Sequence, residues 1–197
     1  MMNKLIKPSI WKILHVFYLN RNKPLHLREI ARQAKINEST ATTHLNSLVM
    51  QNILSARKEA NLKIFSVKVN AVPDIFPMFD EKRLDGLPML RKNAIKRYIA
   101  AMDEKPVFAV VFGSTAKGTY TDDSDVDILE IFNRKRDTKN ARDFAESQTG
   151  INIQTFQMTE KQFAKELVEK KDKVVQSAIS TGFPVFNQRY YYEAVLK

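Results

Sequence analysis

Cysteine is absent from all 197 residues. That excludes disulfides and thiolate metal sites and fits a reducing, cytoplasmic setting. Histidine is scarce: His15, His26 and His44 are the only three, and none stands at metal-ligand spacing from another. No apolar run approaches the roughly 18 residues that a bilayer-spanning helix needs, so no membrane partner is expected. The N-terminus, MMNKLIKPSIWK, lacks a continuous apolar stretch and a small-residue cleavage site and reads as the start of a folded domain. Internal repeats and low-complexity segments are also missing. The scarcity with the most content is acidic charge near the N-terminus. Residues 1–70 carry 12 Lys and Arg against 3 Asp and Glu, a net +9; residues 71–197 carry 20 against 19, a net +1. A compact basic module beside a near-neutral one implies that only the first meets a polyanion.

What is present organises into two domains, residues 1–70 and 89–197, with a Pro-rich stretch at 71–88 (AVPDIFPMFDEKRLDGLP) reading as a linker that holds a short helical piece. SIWKILHVFYLN predicts a helix over 9–20. A turn at RNKP leads to a second helix over 26–34, and a third runs from Glu38 to Gln51 with Asn37 as its cap. The inner face of the third helix is Ala41, Leu45, Leu48 and Val49. ILSARK and LKIFSVKV flank EAN as a hairpin. In order and in residues, with LREIA and STATTHLNSL as its two helices, this stretch resembles a winged helix-turn-helix over residues 9–69. The resemblance implies duplex DNA as a partner. Ser39, Thr43 and Asn46 on the outer face of the third helix would meet base edges or phosphates, and Arg57, Lys58 and Lys63 of the hairpin would meet backbone.

The second domain starts with a helix over about 88–103. VFAVVF follows as a buried strand, DVDILEIF as another, TKNARDFAESQ as a helix, INIQTF as a third strand, and one or two helices after it. The tail FPVFNQRYYYEAVLK is apolar enough to pack back, and packing is the favoured reading of Tyr190, Tyr191 and Tyr192. Between the first two strands lies GSTAKGTYTDDSDVD, residues 113–127. Gly113 and Ser114 end a strand and open a short helix, an arrangement that binds phosphate. Asp125 and Asp127 stand at i and i+2 on the next strand, so both point to one face. Two carboxylates so placed repel unless a cation lies between them, and Mg²⁺ is the natural guest because it accepts oxygen ligands and completes its octahedron with phosphate oxygens and water.

Gly-Ser, ten residues, then Asp-x-Asp resembles the signature of the nucleotidyltransferase superfamily that includes DNA polymerase beta, and most closely its minimal members. The likeness covers residues 90–197. Together the two resemblances imply an α+β chain: an N-terminal winged helix and a C-terminal nucleotidyltransferase fold with a mixed sheet and flanking helices. The nucleotidyltransferase likeness further implies transfer of a nucleoside monophosphate from a nucleoside triphosphate to a hydroxyl. Asp125 and Asp127 would be the catalytic metal-binding pair, and Gly113, Ser114 and Lys117 would hold phosphates. The family usually places a third acid on the neighbouring strand. Here that strand offers only the amides Asn152 and Gln154, and Glu130 falls on the opposite face by parity. Two functions of different class therefore stand side by side. One is an Mg²⁺-dependent nucleotidyltransferase brought to DNA or to a protein acceptor, in the manner of antitoxins that modify a partner protein. The other is a DNA-binding regulator that holds a nucleotide without turnover. A homodimer is compatible with either.

Overall fold

The computed structural model describes residues 6–20 and 23–196. The first five residues of MMNKLIKPSIWK and the first two of the RNKP turn lie outside the described residues, as does residue 197. The chain divides into two compact units, residues 1–79 and 80–197, and no helix among the described residues is long and apolar enough to cross a membrane.

The first unit runs α1 (Pro8–Asn20), β1 (Leu25–His26), α2 (Leu27–Ala34), α3 (Glu38–Met50), β2 (Leu54–Glu59) and β3 (Leu62–Val67). Pro8 suits a first helical position because its missing N–H would have no partner there. Asn37 caps α3, its side-chain oxygen accepting the Thr40 N–H at 2.7 Å. Lys35 closes α2 in the left-handed region (φ 53°), where its N–H can reach back to the last carbonyls. The strands form an antiparallel sheet in the order β1-β3-β2. Each helix turns one stripe inward, so Ile13, Leu14 and Phe17 of α1, Ile30 and Ala34 of α2, and Ala41, Leu45 and Leu48 of α3 are buried. Strand β1 has no counterpart in the sequence reading, because two residues carry no period to detect.

The stretch expected as a linker at 71–88 is mostly helical. After a 3-10 turn at Val69–Ala71 come α4 (Val72–Ile75) and α5 (Pro77–Asp85). Val72, Ile75, Phe76 and Phe79 recur at helical spacing and are buried. The rings of Phe76 and Phe79 lie 5.3 and 5.2 Å from that of Tyr18. Proline marks the starts of these helices rather than an open chain, and the two units divide in sequence between Phe79 and Asp80.

The second unit continues with α6 (Met89–Ala101), β4 (Phe108–Phe112), α7 (Gly113–Lys117), β5 (Val126–Phe132), α8 (Lys139–Thr149), β6 (Ile153–Thr159), α9 (Glu160–Glu169), α10 (Lys173–Thr181), β7 (Phe183–Phe186) and α11 (Gln188–Val195). Its sheet has the order β6-β5-β4-β7. The β5–β6 pair is parallel and the others are antiparallel, which makes it the mixed sheet anticipated. One sheet face carries Ala109, Val111, Val126, Ile128 and Phe132 against Ala94, Ile95 and Tyr98 of α6 and Ala141 and Ala145 of α8. On the other face Phe108 meets Phe163 of α9 and Tyr191 of α11, with ring centroids 5.1 and 5.5 Å apart.

Glu130 is wholly buried on the α6 side of the sheet, where it accepts hydrogen bonds from the Tyr98 hydroxyl and from Gln157 Nε2 at 3.2 Å. Burial pushes its carboxyl up, and the donors Tyr98, Gln157 and Thr138 pull it back. Its parity keeps it away from Asp127, and Tyr98 and Gln157 occupy both of its oxygens. Tyr191 and Tyr192 are buried, and the Tyr192 hydroxyl donates to Asp80 at 2.8 Å, as packing would have it.

Candidate active site

Phe112, the last residue of β4, pairs with Asp127 of β5, so the next residue, Gly113, lies against the Asp127 side chain. Gly113 has φ +66°, and a Cβ added there would fall 2.0 Å from Asp127 Oδ2. Both facts demand glycine: the backbone angle is one that L side chains resist, and the carboxylate already fills the space. The turn carries the chain into α7, where Ser114 is half-buried and Thr115 fully buried. Lys117 is exposed at the far end of this one-turn helix, which Gly118 closes in the left-handed region.

Asp127 is half-buried and Asp125, one position before β5, is exposed. Burial pushes the Asp127 carboxyl above its ordinary range, and the negative charge of Asp125 adds to the rise. The sequence therefore brings three of its candidate residues together: Gly113, Asp125 and Asp127. Ser114 follows directly in the same turn, while Lys117 stands exposed at the other end of α7.

Across the parallel β5–β6 ladder, Asp127 pairs with Gln154. Neighbours in a parallel ladder share a face, which sets an exposed amide beside the half-buried carboxylate. Asn152 precedes β6, and its carbonyl accepts the Val126 N–H at 2.9 Å. Among the described residues no group of three or more His, Cys, Asp or Glu is placed to hold a metal ion. The donors at this end of the β5–β6 pair are two carboxylates and an amide, an all-oxygen set that fits a hard divalent cation. The raised Asp127 carboxyl is the strain such a cation would relieve.

One residue of this region escaped the sequence reading. Arg91 of α6 is 3% exposed. Its guanidinium donates to Thr115 Oγ1 at 3.1 Å and to the carbonyls of Thr121 and Ser124 at 2.7 Å each. It also lies 4.4 Å from the centroid of the Tyr120 ring. In the sequence it is one basic residue among several on α6, and nothing in RKNAIKRY marks it as buried.

The residues expected to meet nucleic acid are grouped in the first unit. Ser39, Thr43 and Asn46 are exposed on α3, and Arg57, Lys58 and Lys63 are exposed on the hairpin. Lys63 Nζ donates to Asn46 Oδ1 at 2.9 Å, which joins helix and hairpin into one surface. Lys58 and Lys63 are direct cross-strand partners, a like-charge pairing that costs stability on its own. Arg57 is partly neutralised by Glu59 at 3.1 Å. His44 turns inward, its Nε2 2.7 Å from Ser9 Oγ.

Comparison with known families bears on the second unit. Residues 93–189 match the family model described as polymerase beta, nucleotidyltransferase. The segment similar to that family contains the Gly113 turn, both aspartates and Gln154. The family typically uses a divalent metal, in keeping with the oxygen donors at the edge of β5. A comparison with curated proteins found no match.

Proposed function

We propose that the chain is an Mg²⁺-dependent nucleotidyltransferase that takes a nucleoside triphosphate at the Gly113–Ser114 turn and transfers its nucleoside monophosphate to a hydroxyl. The observation that carries this reading is the contact of Gly113 with the Asp127 carboxylate, whose proton affinity Asp125 raises further. A divalent cation, when bound, supplies the charge that neutralises the triphosphate. Asp125 and Asp127 hold it, and the backbone at Gly113 and Ser114 leaves room for phosphate oxygens. Lys117 adds positive charge at the outer end of α7. In the transfer, the acceptor oxygen bonds to the α-phosphorus, the bond to the bridging oxygen breaks and pyrophosphate leaves. The acceptor proton passes to water, since the Gln154 amide is no base.

The same amide favours a second reading, in which nucleotide binds and is not turned over and the protein acts as a DNA-binding regulator. The test is incubation with each labelled nucleoside triphosphate, Mg²⁺ or Mn²⁺, and a DNA, RNA or protein acceptor. Covalent label on an acceptor supports the enzyme and identifies the acceptor class. Reversible binding without label supports the regulator. Absence of both overturns the proposal.

We read the first unit as a winged helix, from its order of helices and its three-stranded sheet, with duplex DNA as its partner. The opposed Lys58 and Lys63 support this, because a phosphate between them would remove their repulsion. DNA affinity is expected to fall with salt by about 0.9 log units of K per log unit of salt for each phosphate neutralised. Lys63→Ala should lower that slope by about one unit, weaken binding to all sequences alike and free the Asn46 side chain. Fluorescence anisotropy of a labelled duplex over a salt series checks both. A binding constant indifferent to salt would rule out the phosphate contacts.

A further inference from the structure

We propose that Arg91 is a positioning residue of the nucleotide site: its guanidinium sets the loop that presents Asp125. This rests on the nucleotidyltransferase reading above. The loop from Gly118 to Asp125 joins the phosphate-side turn to the metal-side strand and has no regular structure apart from a turn around Asp122 and Asp123. Arg91 gathers it from behind. One nitrogen, Nη2, takes the carbonyls of Thr121 and Ser124, while Nη1 takes the hydroxyl of Thr115 in α7. The Thr115 hydroxyl in turn lies 3.5 Å from the carbonyl oxygen of Asp125. The Tyr120 ring covers the guanidinium. Thr121 and Ser124 also bond to each other, Thr121 N to Ser124 Oγ at 2.9 Å, so Arg91 grips a turn that is already closed on itself.

Among the described residues Arg91 has no carboxylate partner. A buried guanidinium without a counter-ion carries a desolvation cost, offset here by three acceptors and a ring. A leucine there would leave the Thr121 and Ser124 carbonyls and the Thr115 hydroxyl without these donors. What leucine cannot do is hold two loop carbonyls and a helix hydroxyl in one plane, and a lysine ammonium lacks the planar fork. The arrangement fixes the distance between α7, which starts at Gly113, and Asp125. It leaves Asp127 to be placed by its strand.

The test uses the full chain as wild type, Arg91→Lys, Arg91→Ala and Asp127→Asn. Binding of Mn²⁺ in the presence of each nucleoside triphosphate is read by electron paramagnetic resonance. Exchange of the amides at 118–126 is read by mass spectrometry without metal. Wild type is expected to bind, and both Arg91 variants should weaken Mn²⁺–nucleotide binding by about tenfold or more, the range seen for residues that orient metal ligands. Exchange in the loop should quicken while the β4 and β5 amides stay protected. Millimolar guanidinium chloride should restore binding in Arg91→Ala, with sodium chloride as the ionic control, and should do nothing for Asp127→Asn. If wild type binds no Mn²⁺–nucleotide, the nucleotidyltransferase reading fails and this proposal with it. If wild type binds and Arg91→Lys binds equally with an unchanged loop, the positioning role alone is overturned. If Arg91→Ala is poorly folded, Arg91→Lys decides. A global loss of protection in both, with no guanidinium rescue, also overturns the role, because Arg91 would then be no more than a stability residue.

Discussion

Asp127→Asn is expected to cut nucleotidyl transfer by about a thousandfold or more, since a metal ligand supplies several kcal/mol at the transition state, and yet to make the metal-free protein more stable at neutral pH. The second half follows from the sign of the carboxyl's displacement. Asp127 is held above its ordinary range by burial and by Asp125, so the folded chain binds that proton more tightly than the unfolded chain does. Stability therefore falls as pH rises from the ordinary carboxylate range through the raised one, and at neutral pH the whole penalty is present. Asparagine removes it. In EDTA, the melting temperature of Asp127→Asn should exceed that of wild type near pH 7, and the gap should close as pH falls into the acid range. Mg²⁺ with nucleotide should reverse the order, because a ligand stabilises only the protein that binds it. Equal nucleotide binding by wild type and variant would mean that the carboxylate pair is only a strand end.

The second large effect is a gain. Gln154→Asp should raise transfer by at least about tenfold, as expected when a base of low efficiency replaces none. The parallel register sets residue 154 directly beside Asp127. Asn152, before the strand, should give no such gain when changed to Asp. The gain should disappear when Asp127→Asn is added. Transfer assays with one acceptor and the four proteins check this. Robust wild-type transfer that Gln154→Asp leaves unchanged would show that the proton goes elsewhere without help.

The placement of the carboxylates is legible in the sequence because its determinants are local. Strand parity alone put Asp125 and Asp127 on one face and Glu130 on the other, and the structure has Glu130 buried against Tyr98. The Gly-Ser turn was legible because it closes an unbroken apolar strand. What escaped was set by tertiary contact. Arg91 looks like Lys92 or Arg97 until the loop closes over it. Strand β7 reads FPVF, too short to show a period, and Pro184 argues against a central strand; it is tolerated because β7 lies at the sheet edge. The helices at 72–85 were hidden by their prolines, which mark helix starts where the sequence suggested interruption. The side chains of residues 39–63 were placed by helix and hairpin periodicity, whereas the Lys63–Asn46 bond needed the fold.

The sheet order β6-β5-β4-β7 also carries a timetable. Strands β4 and β5 are near neighbours in the chain, and between them they hold Gly113, Asp125 and Asp127. Gln154 joins only after α8 has been made, and β7, which must find β4, comes near the end. During synthesis both carboxylates thus emerge before β6 and β7, the strands that complete the sheet. The late β4–β7 pairing spans the greatest sequence separation in the sheet, the kind of contact that slows folding. The carboxylates come first in the chain, and the edge strand that must find β4 comes last.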